Sequence, residues 1–347
     1  MRDKKTEEKE EKKVKAFVTG AAGFLGSHLV DSLKKKGFSI TALVMKNEDQ
    51  SFLKRLGVNL VVGDITSPEI IKRMIPKGAV IFHCAALTPG IKANKQQYFK
   101  INTKGTIDLY YIALQREARL FVYISSNHAN ILGSKNKPTN KNNDSKAYPY
   151  SDYGASKKKA ELLLKEASVK YPLPALIIRP SGIYGPRMGR HSGFGELFTK
   201  AMNKYTPVIS KKGSKYQFTF VNNVVNGLIH IYEKMENNFT NGGYYSYNIA
   251  DSPIHDFETI IRKIKAELNP DSKIIRINYP MARMAGYLGS VLNAICGKEM
   301  AISSKKIDNV VGNEFDNCDD LNQLGYRPTF SVDEGIKITA QWLRRKK

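Results

Sequence analysis

An α/β fold is predicted for this chain: a doubly wound parallel sheet with helices on both faces, followed by a smaller, mostly C-terminal lobe. Two observations carry the expectation. Six short apolar runs, Val14–Val18, Ser39–Val44, Asn59–Val62, Val80–His83, Leu120–Ile124 and Ala175–Ile178, recur with helical stretches between them. Such runs suit strands buried on both faces, and the alternation with helices calls for parallel pairing. Length is the second observation: 347 residues, 41% of them hydrophobic, can bury a large core and leave room for a second lobe.

The elements follow in order. Met1 to Lys13 is densely charged and lacks the apolar centre of a secretory signal, so a disordered tail is expected. The first strand runs into Thr19-Gly20-Ala21-Ala22-Gly23-Phe24-Leu25-Gly26, and helical apolar spacing extends from Ser27 to Lys36. In that strand–turn–helix setting Gly20 permits the tight turn, Gly23 lets the backbone approach a pyrophosphate, and Gly26 lets the helix pack closely on the strand. The helix start then offers amide donors and a positive dipole end. The expected architecture is therefore of Rossmann type, with a bound dinucleotide. The second strand ends Leu43-Val44-Met45-Lys46, and no acid stands until Glu48 and Asp49. An acid there would hold the ribose hydroxyls of NAD, whereas a base pairs with the 2′-phosphate of NADP. Lys46 thus points to NADP as the preferred cofactor, with NAD as the alternative. Gly133 to Tyr150 is a long polar loop, either a cover for the site or a plain surface insertion.

Directly after that loop stands Tyr153-Gly154-Ala155-Ser156-Lys157. On a helix, positions four apart share a face, which would bring the Lys157 ammonium beside the Tyr153 phenol. A neighbouring positive charge lowers a phenol pKa from its usual value of about 10, towards the range useful for general acid–base work. With the glycine loop, the pair reads as the centre of an enzyme that moves a hydride.

Thr19 to Gly26 with Tyr153 and Lys157 resemble the extended short-chain dehydrogenase/reductase superfamily. Gly63-Asp64-Ile65, His83-Cys84-Ala85-Ala86, Asn102 with Gly105-Thr106, Ser125-Ser126, Arg179 to Pro186 and Leu324 to Pro328 stand in the family's order, so the resemblance spans roughly residues 14 to 345. It implies a cofactor domain over 14–180, with returns near 218–232 and 244–250, and a substrate lobe drawn mainly from 181–347. It also implies that Tyr153 exchanges a proton with the substrate oxygen and that Ser126, with Ser125 as second choice, donates a hydrogen bond to the same oxygen. Lys157 would bind the nicotinamide ribose. Gly20, Gly23, Phe24, Leu25, Gly26, Lys46, Asp64, Ile65, Ala85, Ala86, Asn102, Pro180 and Ile183 would complete the cofactor site. A homodimer built on two helices is a further implication.

Members that act on nucleotide sugars hold the diphosphate with an asparagine after the arginine motif and an arginine before a later F-x-x-V-x-D-D-like stretch. This chain has Arg179-Pro180-Ser181-Gly182 and Tyr216-Gln217-Phe218-Thr219-Phe220-Val221-Asn222-Asn223. The pattern is closer to the 3β-hydroxysteroid dehydrogenase and dihydroflavonol reductase-like branch, which implies a hydrophobic alcohol or ketone as substrate. A nucleotide-sugar epimerase or dehydratase is the enzyme alternative, and a non-catalytic NADP-binding sensor or scaffold is the alternative of another class.

Composition narrows the partners. Cys84, Cys296 and Cys318 form no C-x-x-C and no metal cluster with the six histidines, so a reducing, cytoplasmic setting without a structural metal is expected. The net charge of +23 attracts polyanions. With lysines scattered and no recognisable nucleic-acid module, no nucleic-acid partner is expected, and weak association with an anionic membrane surface is the more plausible of the two. Met281 to Gly297, with Met284, Tyr287, Leu288, Val291, Leu292 and Ile295 at helical spacing, is expected to be a core-facing helix. Contact with lipid, or the lining of an apolar pocket, is its alternative.

Overall fold

The computed structural model describes residues 13–91, 93–130, 149, 151–189, 192–210, 215–239, 242–296 and 316–345. The charged tail through residue 12 and nearly all of the polar loop before Tyr153 lie outside the described residues. The first half alternates as expected: β1 (Lys15–Thr19), α1 (Phe24–Lys35), β2 (Ser39–Val44), α2 (Ser51–Arg55), β3 (Asn59–Val62), α3 (Pro68–Met74), β4 (Val80–His83), α4 (Lys95–Tyr98), α5 (Thr106–Gln115), β5 (Leu120–Ile124), α6 (Asp152–Lys170) and β6 (Ala175–Pro180). A π-helical turn, Phe99–Gly105, joins α4 to α5.

Six of these strands and β10 (Tyr244–Ile249) form one parallel sheet in the order β3-β2-β1-β4-β5-β6-β10. The order reverses between β1 and β4, and Thr19 at the end of β1 is paired with His83 at the end of β4. Ligands of open α/β sheets bind in the crevice beyond the carboxyl ends of the strands at such a reversal. The alternation of side chains splits the core in two. Ala16, Val18, Phe82 and Val122 face α1 and α8 (Val221–Met235), whereas Phe17, Ile81, Phe121 and Tyr123 face α5 and α6. Burial of each large apolar side chain among them contributes about 1.5–3 kcal/mol.

A third cluster makes the second lobe. It joins β7 (Gly182–Tyr184), α7 (Gly193–Ala201), β9 (Phe218–Phe220), α9 (Phe257–Leu268) and the C-terminal helix Val332–Arg345. Phe24 and Leu25, the first residues of α1, pack on it, so the glycine-loop helix touches both lobes. Two two-stranded parallel sheets complete the lobe, β7 with β9 and β8 (Tyr205–Ser210) with β11 (Lys273–Asn278).

Some boundaries differ from expectation. The first helix begins at Phe24 rather than Ser27, because Gly23 is extended (φ −70°, ψ 175°) and the loop itself makes the first turn. Within 218–232 the strand Phe218–Phe220 pairs with β7 and only α8 covers the large sheet. Leu321 and Tyr326, late in the chain, return to the core of the cofactor domain. The largest departure is α10 (Tyr279–Cys296). Its buried positions are small, Ala282, Gly286 and Gly289, whereas Met281, Met284, Tyr287 and Leu288 are 59–66% exposed. Over its described side chains this helix does not turn its large apolar residues to the core.

Candidate active site

The glycine loop closes on itself. Gly20 lies at φ +63°, and a Cβ there would stand 2.7 Å from the Ala85 nitrogen, so only glycine serves the turn and the close passage of the β4 strand end. Gly23 N–H donates to the Gly20 carbonyl (3.0 Å), and a Cβ on Gly26 would strike that same carbonyl. Gly26 thus serves the packing of helix on loop rather than helix on strand. No side chain caps α1, which leaves its first amides available to an anion.

A buried lock fixes the ends of β1 and β4. His83 accepts or donates at Thr19 Oγ1 (2.7 Å) and Thr106 Oγ1 (2.9 Å), and Ala85 N–H donates to Thr19 Oγ1 (3.2 Å). Burial, with the Lys157 charge nearby, pushes the His83 pKa down to about 3, so the ring is neutral and structural. Asn102 holds the following loop: its Oδ1 accepts from Leu87 N–H (2.7 Å), and its Nδ2 donates to Leu87 O (2.9 Å) and Ser156 Oγ (3.0 Å). Ser156 in turn donates to Tyr153 O (2.7 Å), so Ala85 and Ala86 are tied to the first turn of α6.

That helix starts at a Ser151 cap, which accepts from Gly154 N–H at 3.1 Å. Tyr153 is partly buried, with the rings of Tyr98 and His128 edge-on at 6.2 and 6.0 Å. Ser126, just beyond the end of β5, stands near enough to the phenol to lower its pKa while its Oγ accepts from His128 N–H (3.2 Å), and the buried Ser125 hydroxyl meets no partner.

The phenol environment corrects one expectation. Burial raises the Tyr153 pKa to about 12, opposed by the neighbouring Ser126 and reinforced by Tyr98. The Lys157 ammonium is engaged elsewhere. Its Nζ donates to the Ile124 carbonyl (2.8 Å) and lies 4.6 Å from the centre of the Tyr123 ring. Burial lowers the Lys157 pKa to about 7, with Cys84 and Glu161 opposing. The shared helical face is real, but a long lysine stem reaches past the tyrosine to the strand end.

The remaining expected residues are spread around the same crevice. Asp64 is exposed and its Oδ1 accepts from Thr66 N–H (2.7 Å) and Oγ1 (2.8 Å), a turn cap. Ile65 packs beneath Gly105, Pro180 is buried at the end of β6, and Ile183 is partly buried in β7. Lys46 and Met45 are exposed at the end of β2, where Glu48 accepts from Met45 N–H at 2.8 Å.

Three contributors were missed by sequence reasoning. Arg187, at φ +67°, donates from Nε to Ser27 Oγ (3.0 Å) and lies 4.2 Å from the Phe52 ring centre, and its enclosed Nη2 has no partner. The cue in the chain was an arginine directly after a Gly-Pro turn. Asp251 accepts from Phe220 N–H (2.8 Å) and Asn223 Nδ2 (2.9 Å), and burial raises its pKa to about 7. Glu161 meets Arg179 through two contacts, 2.9 and 2.7 Å, beneath the site. Neither acid stands in a motif that announces it.

Comparison with known proteins agrees with this fold. A family model described as the NAD dependent epimerase/dehydratase family matches residues 16–250. The mouse sterol-4-alpha-carboxylate 3-dehydrogenase, decarboxylating, is 27% identical over 342 residues, 94% of this chain and 90% of that protein. The UDP-glucose 4-epimerase of Vibrio cholerae is also 27% identical, over 334 residues and 94% of both chains. Among solved structures, the UDP-glucuronic acid 4-epimerase of Bacillus cereus in complex with NAD superposes with a TM-score of 0.74 at 19% identity, covering 96% of this chain and 99% of that one. With its reversed strand order, glycine turn and Tyr153-x-x-x-Lys157 helix, the chain belongs to the NAD dependent epimerase/dehydratase family of extended short-chain dehydrogenase/reductases and is an NAD(P)-dependent enzyme of that family.

Proposed function

We propose that this enzyme interconverts a secondary alcohol and a ketone on a hydrophobic, sterol-like or flavonoid-like small molecule, with Tyr153 as acid and base. The observation that carries the redox step is the placing of Ser126 beside the Tyr153 phenol, near the strand ends where the sheet order reverses. Two hydroxyls there can hold one substrate oxygen.

The residues fit a dinucleotide. A turn that only glycine can make, an uncapped helix start and the orphan Nη2 of Arg187 beside Ser27 suit an anionic group at α1. Glu48 is engaged by Met45 N–H and Lys46 is left exposed, which supports NADP as the preferred form. The bound nicotinamide supplies or accepts the hydride. Tyr153, held neutral by burial, gives its proton to the oxygen of a ketone as that oxygen gains charge, and Ser126 stabilises the same oxygen. In the reverse direction Tyr153 takes the proton back. Lys157 lies one helical turn on, available to the nicotinamide ribose, and Asn102 keeps the Ala85–Leu87 segment and α6 in register.

The substrate class rests on how two stretches of the second lobe are engaged among the described residues. In the stretches Arg179–Gly182 and Tyr216–Asn223, Ser181 bonds Thr219 internally, and Gln217 donates to Asp251 O (2.9 Å) and accepts from Asp316 N–H (2.8 Å). Both positions are turned inward on the protein. The sterol dehydrogenase relative supports the same direction, and the UDP-glucose 4-epimerase relative, at the same 27% identity, supports the epimerase alternative. We further propose a homodimer through α5 and α6, where Tyr111 and Leu162 are exposed beside an apolar cleft of about 530 Å³ lined by Phe99, Ile107 and Leu163.

The test follows cofactor absorbance while sterols, flavonoid-like ketones and nucleotide sugars are offered. Net cofactor oxidation with a hydrophobic ketone, or reduction with its alcohol, is expected. Conversion of a nucleotide sugar without net cofactor change would replace this reading with the epimerase or dehydratase one.

A further inference from the structure

From the exposed apolar face of α10 we infer a docking surface for an anionic lipid bilayer. Fourteen large hydrophobic residues are exposed among the described residues, and four of them, Met281, Met284, Tyr287 and Leu288, fall within one eight-residue stretch of this helix. Their spacing places them on one side, and the opposite side meets the protein through Ala282, Gly286 and Gly289. A helix that contributes to a core carries its large residues inward, so over its described side chains, through Gly289, this one is inverted. The surface continues into the element that leads to it. α10 packs against β11 and β8, and in their shared register Lys273 stands beside Tyr205 and Ile275 beside Pro207. All four are exposed, Tyr205 at 51% and Ile275 at 50%.

Charge decides what covers this face. The chain carries no Asp or Glu from Ser272 to Lys298, nor from Leu197 to Tyr232, which are the stretches that supply α10, β11 and β8. Lys204, Lys273 and Arg283 are exposed and, among the described residues, meet no carboxylate. Self-contact through this face would set the cationic rim of one copy against that of another, whereas the same rim attracts a surface of anionic headgroups. No helix of the described residues is long and apolar enough to cross a membrane. The face therefore seats at the headgroup boundary, with methionine, leucine and tyrosine side chains in the outer acyl region and the lysines and arginine at the phosphates.

The test uses the full chain with phosphatidylcholine vesicles, with and without phosphatidylserine. Co-sedimentation with the anionic vesicles and not with phosphatidylcholine alone is expected, weakening as salt is raised. The combined change Met284→Gln, Tyr287→Gln and Leu288→Gln should lower vesicle affinity about tenfold or more while leaving cofactor binding unchanged. In a separate variant, Tyr287→Trp, the introduced indole should shift its emission to the blue on anionic vesicles and be quenched by brominated lipid. The inference is overturned by no binding by the wild type, by equal binding by the triple variant, or by a concentration-dependent dimer that the triple variant abolishes. An indole that ignores the vesicles while the protein binds them would do the same.

Discussion

Replacing Lys157 with Met should stabilise the protein while destroying its activity. Lys157 is 2% exposed, and its ammonium has one hydrogen bond, to Ile124 O at 2.8 Å, and the face of Tyr123. Moving a lysine pKa from 10.5 to about 7 corresponds to a cost of about 5 kcal/mol for seating the group in the folded state. Met has a similar volume and no charge, so it removes that cost. The change also strips the Ile124 carbonyl of its donor, a loss of about 1–3 kcal/mol. The balance is a net gain of about 2 kcal/mol or more at neutral pH, read as a rise in Tm of a few degrees. The sign with pH follows from linkage. The unfolded chain holds the lysine proton up to about 10.5 and the folded one only to about 7, so the wild type regains stability as pH rises between them. The advantage of Lys157→Met should therefore shrink across that window. Thermal melts of both proteins through that pH range, with turnover measured beside them, are the assay. A variant less stable than the wild type at neutral pH would refute the reasoning, because it would show that the ammonium is well paired in place.

Other changes probe separate parts of the site. Gly20→Ala should cost roughly 1–3 kcal/mol and abolish cofactor binding, since it meets both a positive φ and the Ala85 backbone; melts and cofactor fluorescence would show it. Lys46→Glu should reverse the cofactor preference from NADP to NAD, while Glu48→Gln should favour NADP further; paired titrations with NADPH and NADH check both. Asn223→Asp would set a second carboxylate at hydrogen-bond distance from Asp251, whose pKa already stands at about 7. A carboxyl raised above its unfolded value loses stability as pH rises, so the variant should melt lower by about 1–3 kcal/mol above pH ~7 and approach the wild type in acid.

Legibility in the sequence followed the range of the interactions. The strands of the cofactor domain are short apolar runs between glycine turns, a local signal, and they stand within two residues of where periodicity put them. Gly20 and Gly26 were legible because a turn that excludes Cβ leaves only one residue type. The environment of Tyr153 was not, because helical spacing fixes where Lys157 starts and not where its Nζ ends, and that depends on Ile124 O and Tyr123 some thirty residues earlier. Asp251 pairs with Asn223, and Arg187 with Ser27 and Phe52, across long separations that no spacing rule encodes. The helix at Met281 shows the reverse case: its apolar period was plain, but a period names a face without saying what that face meets.

The measurement that bears most directly on the central claim is turnover and cofactor affinity of Tyr153→Phe. The ring stays and only the proton-bearing oxygen is lost, so packing against Tyr98 and His128 is kept. Turnover should fall by about two orders of magnitude or more with cofactor affinity unchanged. Unchanged turnover, or unchanged biological activity in the variant, would contradict the account and leave a protein that binds a dinucleotide without using this tyrosine.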